Sequence, residues 1–177
     1  MTKHFERELE WLKNELLELS TLVEENVVKS ILSLKERNEA LAREVIASDD
    51  VVDHSEVALE EQCLKILALH QPVAGDLRFI VATLKINSDL ERVADLAVNI
   101  AERSLVIGRQ KVIDAPFDFT HMAQKSRSML TRAIDSLIRL DIVLAHDVCV
   151  ADDEVDELNR EVYTQVYRLI KERPENA

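Results

Sequence analysis

The sequence has only 2 glycines and 3 prolines among 177 residues, so it lacks most of the turn chemistry that sheet proteins need. Aromatic residues make up 4% of the chain, although apolar residues make up 47%. A core of Leu, Val, Ile and Ala suits helix-on-helix packing, and no segment has the convincing alternation of a strand. We therefore expect an all-α protein of long helices joined by short connections.

Basic residues are scarce as well: 22 Lys and Arg stand against 34 Asp and Glu, a formal net charge of −12. This balance argues against a nucleic-acid binder and against attachment to an anionic membrane surface. It favours cations and basic protein surfaces as partners, although the charge could simply keep the chain soluble. No apolar run approaches the roughly 20 residues of a membrane helix, so we expect no membrane insertion.

The two cysteines, Cys63 and Cys149, both lie in apolar surroundings and show no zinc-binding spacing. This pattern predicts two buried free thiols in a reducing compartment. The first residues lead directly into a charged helix without the features of a signal peptide. We therefore expect a cytoplasmic protein.

Apolar residues that recur every three or four positions predict five helices. Thr2 is the expected cap of the first, Gln71–Pro72 separates the second from the third, Gly108 ends the third and Pro174 follows the last. The predicted helices are Phe5–Ser48, a segment after Asp50 that ends at His70, Val73–Ile107, Phe119–Val150 and Asp153–Glu172.

The two halves of the chain repeat each other. A shift of 103 residues lays Ala40–Asp53 on Val143–Asp156, matching leucine, alanine, valine and aspartate positions together. This predicts two tandem three-helix bundles, residues 1–110 and residues 111–177, joined by a linker at Ile113–Pro116. The second copy would lack its last helix, so we expect either a truncated chain or a partner that covers the apolar face left open.

Acidic residues form two columns at helical spacing, one on each of two consecutive predicted helices. Each column spans an arc of roughly 60–80° on a helical wheel. Neighbouring carboxylates repel each other unless a cation or a basic side chain offsets them. One column consists of Asp49, Asp53, Glu56 and Glu60, and the other of Glu91, Asp95, Asn99 and Glu102.

The turn at Gln71–Pro72 should make these two helices antiparallel. Asp53 then lies opposite Glu91, and Asp49 lies opposite Asp95. Carboxylates i and i+4 are about 6 Å apart along the axis, a separation that bridged cations can span. The set suits Fe, Mn, Mg, Ca or Zn. A weaker second site is expected at the repeated aspartates, Asp152 and Asp156.

The same acidic residues can have roles that involve no metal ion. Asp49 can complement the dipole of the helix that it begins, and the acids can form a solvated face. Arg78, Arg92 and Arg103 can form ion pairs with the second column. His54 adjoins Asp53 but is expected to face solvent, and the five histidines share no ligand spacing.

The sequence shows no catalytic arrangement. It has no ExxH pair, no glycine-rich phosphate loop and no Ser or Cys nucleophile with a His partner. We therefore expect no catalytic residues and no organic cofactor. A metal-dependent hydrolase that uses the carboxylate cluster remains the alternative to a binding protein, and a plain helical scaffold is a third possibility.

The segment Glu56–Glu102 closely resembles the signature of the PhoU family of phosphate-transport regulators, through the QPVAGDLR turn followed by LERVAD and NIAE. The resemblance extends from FERELEWL to the DDEVD of the second repeat. It implies a cytoplasmic negative regulator of phosphate uptake and of the phosphate-starvation response. Such a protein would link the ATPase subunit of the ABC phosphate importer to the phosphate-sensing histidine kinase.

The resemblance also implies two bundles of three helices, frequent homodimers and no catalysis. Family members can carry metal clusters on pairs of E/DxxxD motifs. Here those motifs correspond to Asp49/Asp53 with Glu91/Asp95, and to Asp152/Asp156 with residues that this chain does not contain.

Overall fold

The computed structural model describes residues 3–110 and 119–172, and every regular element in these two ranges is a helix. Thr2, Pro174 and the predicted linker Ile113–Pro116 lie outside the described residues. The division at residues 110/111 borders that segment and stays a prediction. The helices are α1 (Lys3–Glu36), α2 (Glu39–Ala47), α3 (Asp49–His70), α4 (Ala74–Ile107), α5 (Phe119–Arg139) and α6 (Ile142–Glu172).

The first predicted helix is in fact two helices, because the chain leaves the helical path at Arg37 and Asn38. Arg37 has a left-handed backbone with φ 51°, and the Asn38 N–H donates to Ser33 O at 2.9 Å, which closes the end of α1. The Asn38 side chain then accepts hydrogen bonds from two N–H groups of α2. The prediction of one helix over Phe5–Ser48 was wrong because no glycine marks this stop.

The same break recurs 103 residues later, between α5 and α6. Leu140 has φ 54°, and the Asp141 N–H donates to Ser136 O at 2.9 Å. Asp141 Oδ1 accepts from the N–H of Leu144, as Asn38 does for α2. The internal repeat therefore extends to the backbone conformation of its helix break.

The break predicted between Val150 and Asp153 does not exist, since α6 runs through this segment. In the first half, α2 ends at Ala47 and α3 begins at Asp49, so the helix is interrupted at Ser48. The residue at the repeat position is Ala151, and alanine has the highest helix propensity of all residues. The helix therefore continues where the repeat suggested a stop.

Contacts between helix ends fix the directions of the first four helices. His70 at the end of α3 contacts Glu8 at the start of α1, so these helices are antiparallel. Arg37 at the end of α1 donates to Gln110 O just after α4, so α1 and α4 run in the same direction. The helices α3 and α4 are consequently antiparallel, as the turn at Gln71–Pro72 predicts.

The main core lies between α1, α3 and α4 and consists mainly of aliphatic side chains. A second, smaller core lies between α2 and the C-terminal half of α4. Small residues, including the buried Ala42 and Ala97, let these two helices approach closely there. The largest fully buried apolar side chains are Leu12, Leu16, Leu59, Ile66, Ile80 and Leu90.

The second half adds a helical hairpin to this core. Ile134 of α5 is buried in the main core, and Arg127 of α5 forms an ion pair with Glu24 of α1. Helix α6 packs against α5, where Arg132 pairs with Asp147, and no residue of α6 is buried. One side of α6 is therefore open along its length in the described part of the chain.

The two cysteines differ in their surroundings. Both are free, but Cys63 is buried in the core and Cys149 is exposed on α6. The prediction of two buried thiols was wrong for Cys149 because, among the described helices, α5 is the one that packs extensively on α6. Among the described helices, none has a stretch apolar enough to cross a membrane.

Replacing Asn38 with alanine removes the cap of α2. We expect Asn38→Ala to lower the free energy of unfolding by about 1 kcal/mol, as measured by urea denaturation. The control is Asn14→Ala on the exposed face of α1, where alanine favours the helix and stability should hold or rise. Equal stability of both variants would contradict the capping role of Asn38.

Candidate metal centre

The two acidic columns predicted from the sequence face each other across the α3–α4 hairpin. Asp49 and Glu91 are half-buried, whereas Asp53 and Asp95 are exposed. The negative charges of Asp53 and Asp95 act on both half-buried carboxylates, which places the four groups in one cluster. The predicted juxtaposition of these four side chains is therefore present, while their role as metal ligands stays a prediction.

A buried hydrogen bond sets the register of this hairpin. The Asn87 side chain on α4 donates from Nδ2 to the backbone oxygen of Glu56 on α3, at 2.8 Å. Asn87 is 1% exposed and lies one turn before Glu91, while Glu56 lies almost one turn after Asp53. The contact therefore holds Asp53 and Glu91 at the same height. Asn87 is not among the residues expected from the sequence, and its polar side chain amid apolar core positions of α4 is the signal that points to it.

The cluster raises the pKa of its half-buried members. Desolvation raises the pKa of Asp49 above its ordinary 3.8, and the charges of Asp53 and Asp95 raise it further. Desolvation followed by the charges of Asp95 and Asp53 also raises the pKa of Glu91 above its ordinary 4.5. The pKa of Glu56 is raised by desolvation, Glu60 and Asp53. Burial is the larger cause of each shift, and neighbouring negative charges add to it.

No basic side chain offsets this charge within the described ranges. Arg78, Arg92 and Arg103, which could have paired with the α4 column, form no ion pair with it there. The donors that remain are carboxylate oxygens, the ligands that Mg²⁺, Ca²⁺ and Mn²⁺ prefer. In the described residues no three of these carboxylates bring ligand oxygens within 4.8 Å of one another, so their side chains would have to converge further around an ion. The carboxylates of the two columns, none of which has a basic partner among the described residues, are Asp49, Asp53, Glu56, Glu60, Glu91, Asp95 and Glu102.

The second predicted site is not assembled in the same way. Asp152 and Asp156 are both exposed on α6, and Arg160 lies 3.7 Å from Asp156. Helix α6 packs on α5, and no described helix opposes this pair with acids of its own. The pair is therefore one half of the arrangement that α3 and α4 form together.

Two further side chains near the cluster take no part in such chemistry. His54 is exposed, as expected, and its Nδ1 contacts the backbone oxygen of Asp50. Cys63 is buried, and desolvation together with the charge of Glu60 raises the pKa of its thiol to about 12. A thiol with that pKa is not a nucleophile at neutral pH.

A different group of possible ligands lies at the other end of α3. His4, Glu8 and His70 each offer one ligand atom, and these three atoms lie within 4.8 Å of one another. The histidines show no shared ligand spacing in the sequence, because His70 is 62 residues from Glu8 along the chain. The available signal was the spacing of His4 and Glu8 on one helix face, combined with His70 at the end of the antiparallel helix.

Comparison with known proteins assigns the fold to a family. A family model described as the PhoU domain matches residues 16–104 and 119–177. A "phosphate-specific transport system accessory protein PhoU homolog" from Aquifex aeolicus is 37% identical over 170 residues, covering 96% of this chain and 77% of the relative. A relative of the same description from Clostridium acetobutylicum is 32% identical over 171 residues and is covered to 78%.

Solved structures agree with these sequence matches. The crystal structure of PhoU from Pseudomonas aeruginosa superposes with a TM-score of 0.89 at 30% identity, covering 97% of this chain and 82% of that chain. The phosphate transport system regulatory protein PhoU from Streptococcus pneumoniae gives a TM-score of 0.86 at 27% identity, with 96% and 80% covered.

The raised pKa values predict how stability responds to pH without metal. At pH 7 the ionised Glu91 destabilises the fold, and this penalty disappears as the pH falls through its raised pKa. In buffer that contains a metal chelator, Glu91→Gln should therefore raise the melting temperature at pH 7 by about 1–3 °C. The difference from the wild type should shrink towards zero near about pH 4.

The control is a carboxylate whose pKa is shifted in the opposite direction. Lys125 lowers the pKa of Glu154, so Glu154→Gln should not raise the melting temperature at pH 7. A melting temperature that falls in Glu91→Gln at pH 7 would contradict the unbalanced charge of the cluster.

Proposed function

This chain belongs to the PhoU family, and we propose that it is a regulatory accessory protein of a phosphate transport system. In this proposal it acts in the cytoplasm as a negative regulator of phosphate uptake and of the phosphate-starvation response. It contacts the ATPase subunit of the ABC phosphate importer and the phosphate-sensing histidine kinase. The names of its relatives, accessory proteins of phosphate-specific transport systems, support the role without an enzymatic activity.

The unbalanced carboxylates of α3 and α4 carry the structural part of the proposal. Asp53 and Asp95 are exposed, and the group has no basic partner among the described residues. Such a surface attracts a basic protein surface or a cation over a distance of about 8–10 Å at physiological salt. A bound cation would supply the positive charge that offsets the repulsion between the two helices.

The proposed ligands of that cation are Asp49 and Asp53 on α3 with Glu91 and Asp95 on α4. Fe, Mn, Mg, Ca and Zn are the ions that such oxygen donors accept. Asp152 and Asp156 would form a second, weaker site only with acids from another helix. Because α6 is open on one side, a second copy of the chain in a homodimer is a proposed cover for it.

Loss of a ligand should reduce the metal content of the protein. We expect Asp53→Ala and Asp95→Ala each to lower the bound Fe or Mn per chain at least twofold, measured by elemental analysis after removal and reloading of metal. Exposed Glu18 on α1 provides the control, and Glu18→Ala should retain the wild-type content. Equal content in all three variants would contradict the assignment of these ligands.

Binding of the two protein partners can be tested with the carboxylates neutralised. We expect the wild type to bind both the purified importer ATPase and the purified sensor kinase in a pull-down. The triple variant Asp53→Asn, Glu91→Gln and Asp95→Asn should bind each at least about tenfold more weakly, because charge complementarity is lost.

The control removes the same number of negative charges elsewhere. Glu18→Gln, Glu36→Gln and Glu172→Gln change exposed residues outside the cluster and should leave binding close to the wild type. If the wild type binds neither partner, with or without metal, the regulatory proposal is rejected. If both triple variants weaken binding equally, the effect is one of net charge and the acidic columns are not the docking surface.

A further inference from the structure

The group of His4, Glu8 and His70 lies at the end of the bundle opposite the α2–α3 junction. His4 and Glu8 are one turn apart on α1, and His70 is the last residue of α3. His70 Nε2 lies 2.5 Å from Glu8 Oε2, and His4 Nε2 lies 3.7 Å from Glu8 Oε1. Two imidazoles therefore approach the two oxygens of one carboxylate.

Glu8 is the unusual member of the group, because it is a carboxylate with only 7% exposure. A buried charge is costly unless a positive or hydrogen-bonding partner satisfies it. His70, whose side chain is 18% exposed, contacts it directly, and Phe5 packs against the His70 ring at 5.0 Å between centroids. Burial and packing thus hold the carboxylate and one imidazole in place before any ligand arrives.

We propose that His4, Glu8 and His70 bind a Zn²⁺ ion. Two histidines and one glutamate are a known zinc ligand set, and imidazole suits zinc better than it suits Mg²⁺ or Ca²⁺. Zinc on His70 Nε2 would replace the contact of that nitrogen with Glu8, and a neutral ring would then carry its proton on Nδ1. The fourth position is left to water, because His4 is 73% exposed on the solvent side.

This site differs in chemistry and in place from the carboxylate columns. It contains nitrogen ligands, whereas the columns offer only oxygen. It joins the first turns of α1 to the last turn of α3, so a bound ion would link the start of the described chain to the turn before α4. The expected consequence is a higher melting temperature in the presence of Zn²⁺.

Lys65 is the charged neighbour that opposes the ion. Its Nζ lies 4.0 Å from Glu8 Oε1, and its side chain is 57% exposed. A cation near Glu8 is repelled by this ammonium group, which can swing into solvent on its flexible stem. Removing the charge with Lys65→Gln should therefore tighten zinc binding, in the direction opposite to the loss of a ligand.

The test is a calorimetric titration of Zn²⁺ into the full chain without a histidine tag. Asp53→Asn, Glu91→Gln and Asp95→Asn are introduced as a common background, which removes three of the four proposed carboxylate ligands on α3 and α4. We expect one Zn²⁺ per chain, binding at least about tenfold weaker in His4→Ala and in His70→Ala, and tighter binding in Lys65→Gln.

The matched control is His54→Ala, an exposed histidine outside the group, which should bind zinc as the background protein does. His4→Ala keeps the proposal testable if His70→Ala fails to fold, because the His4 side chain is largely exposed. Absence of stoichiometric Zn²⁺ binding would overturn the proposal. So would equal affinity of the His4→Ala and His54→Ala variants.

Discussion

The register of α3 against α4 is the constraint on which the acidic surface depends. Apolar side chains such as Leu59, Ile66 and Leu90 are fully buried between these helices and α1, each contributing about 1.5–3 kcal/mol. The repulsion of a like-charged pair on neighbouring turns is about 0.2–0.5 kcal/mol. Packing therefore prevails, and the buried hydrogen bond from Asn87 to Glu56 fixes the height at which the carboxylates meet. Packing of the core therefore keeps these carboxylates close together in spite of their mutual repulsion.

The internal repeat shows what each helix adds to this arrangement. Both halves contain the same helix break with its cap, at Asn38 and at Asp141. Both also carry the pair of aspartates that follows, yet only the pair at Asp49 and Asp53 meets opposing acids in the described ranges. The difference is α4, which covers α3 and contributes Glu91 and Asp95. A carboxylate pair on one helix is a solvated face, and it becomes a candidate ion site only when a second helix brings acids to the same height.

Much of the fold and of the carboxylate cluster could be predicted from the sequence, because helical periodicity and one proline-marked turn determine which residues face each other. The helix breaks at Arg37 and Leu140 could not, since these residues adopt left-handed backbones that glycine usually signals. The only sequence signal for the continuity of α6 is Ala151, a strong helix former at the position that Ser48 occupies in the first repeat. The approach of His4 to His70 depends on α1 lying beside α3, a contact between distant parts of the chain that periodicity does not encode.

The most direct test of the account is an NMR titration of the carboxyl carbons in the metal-free protein. Desolvation and unbalanced negative charge should place the pKa of Asp49 above 3.8 and the pKa of Glu91 above 4.5. Glu154, beside Lys125, should titrate below 4.5 in the same experiment. Values for Asp49 and Glu91 at or below those of ordinary carboxyl groups would show that α3 and α4 do not hold their acids together, and would contradict the account.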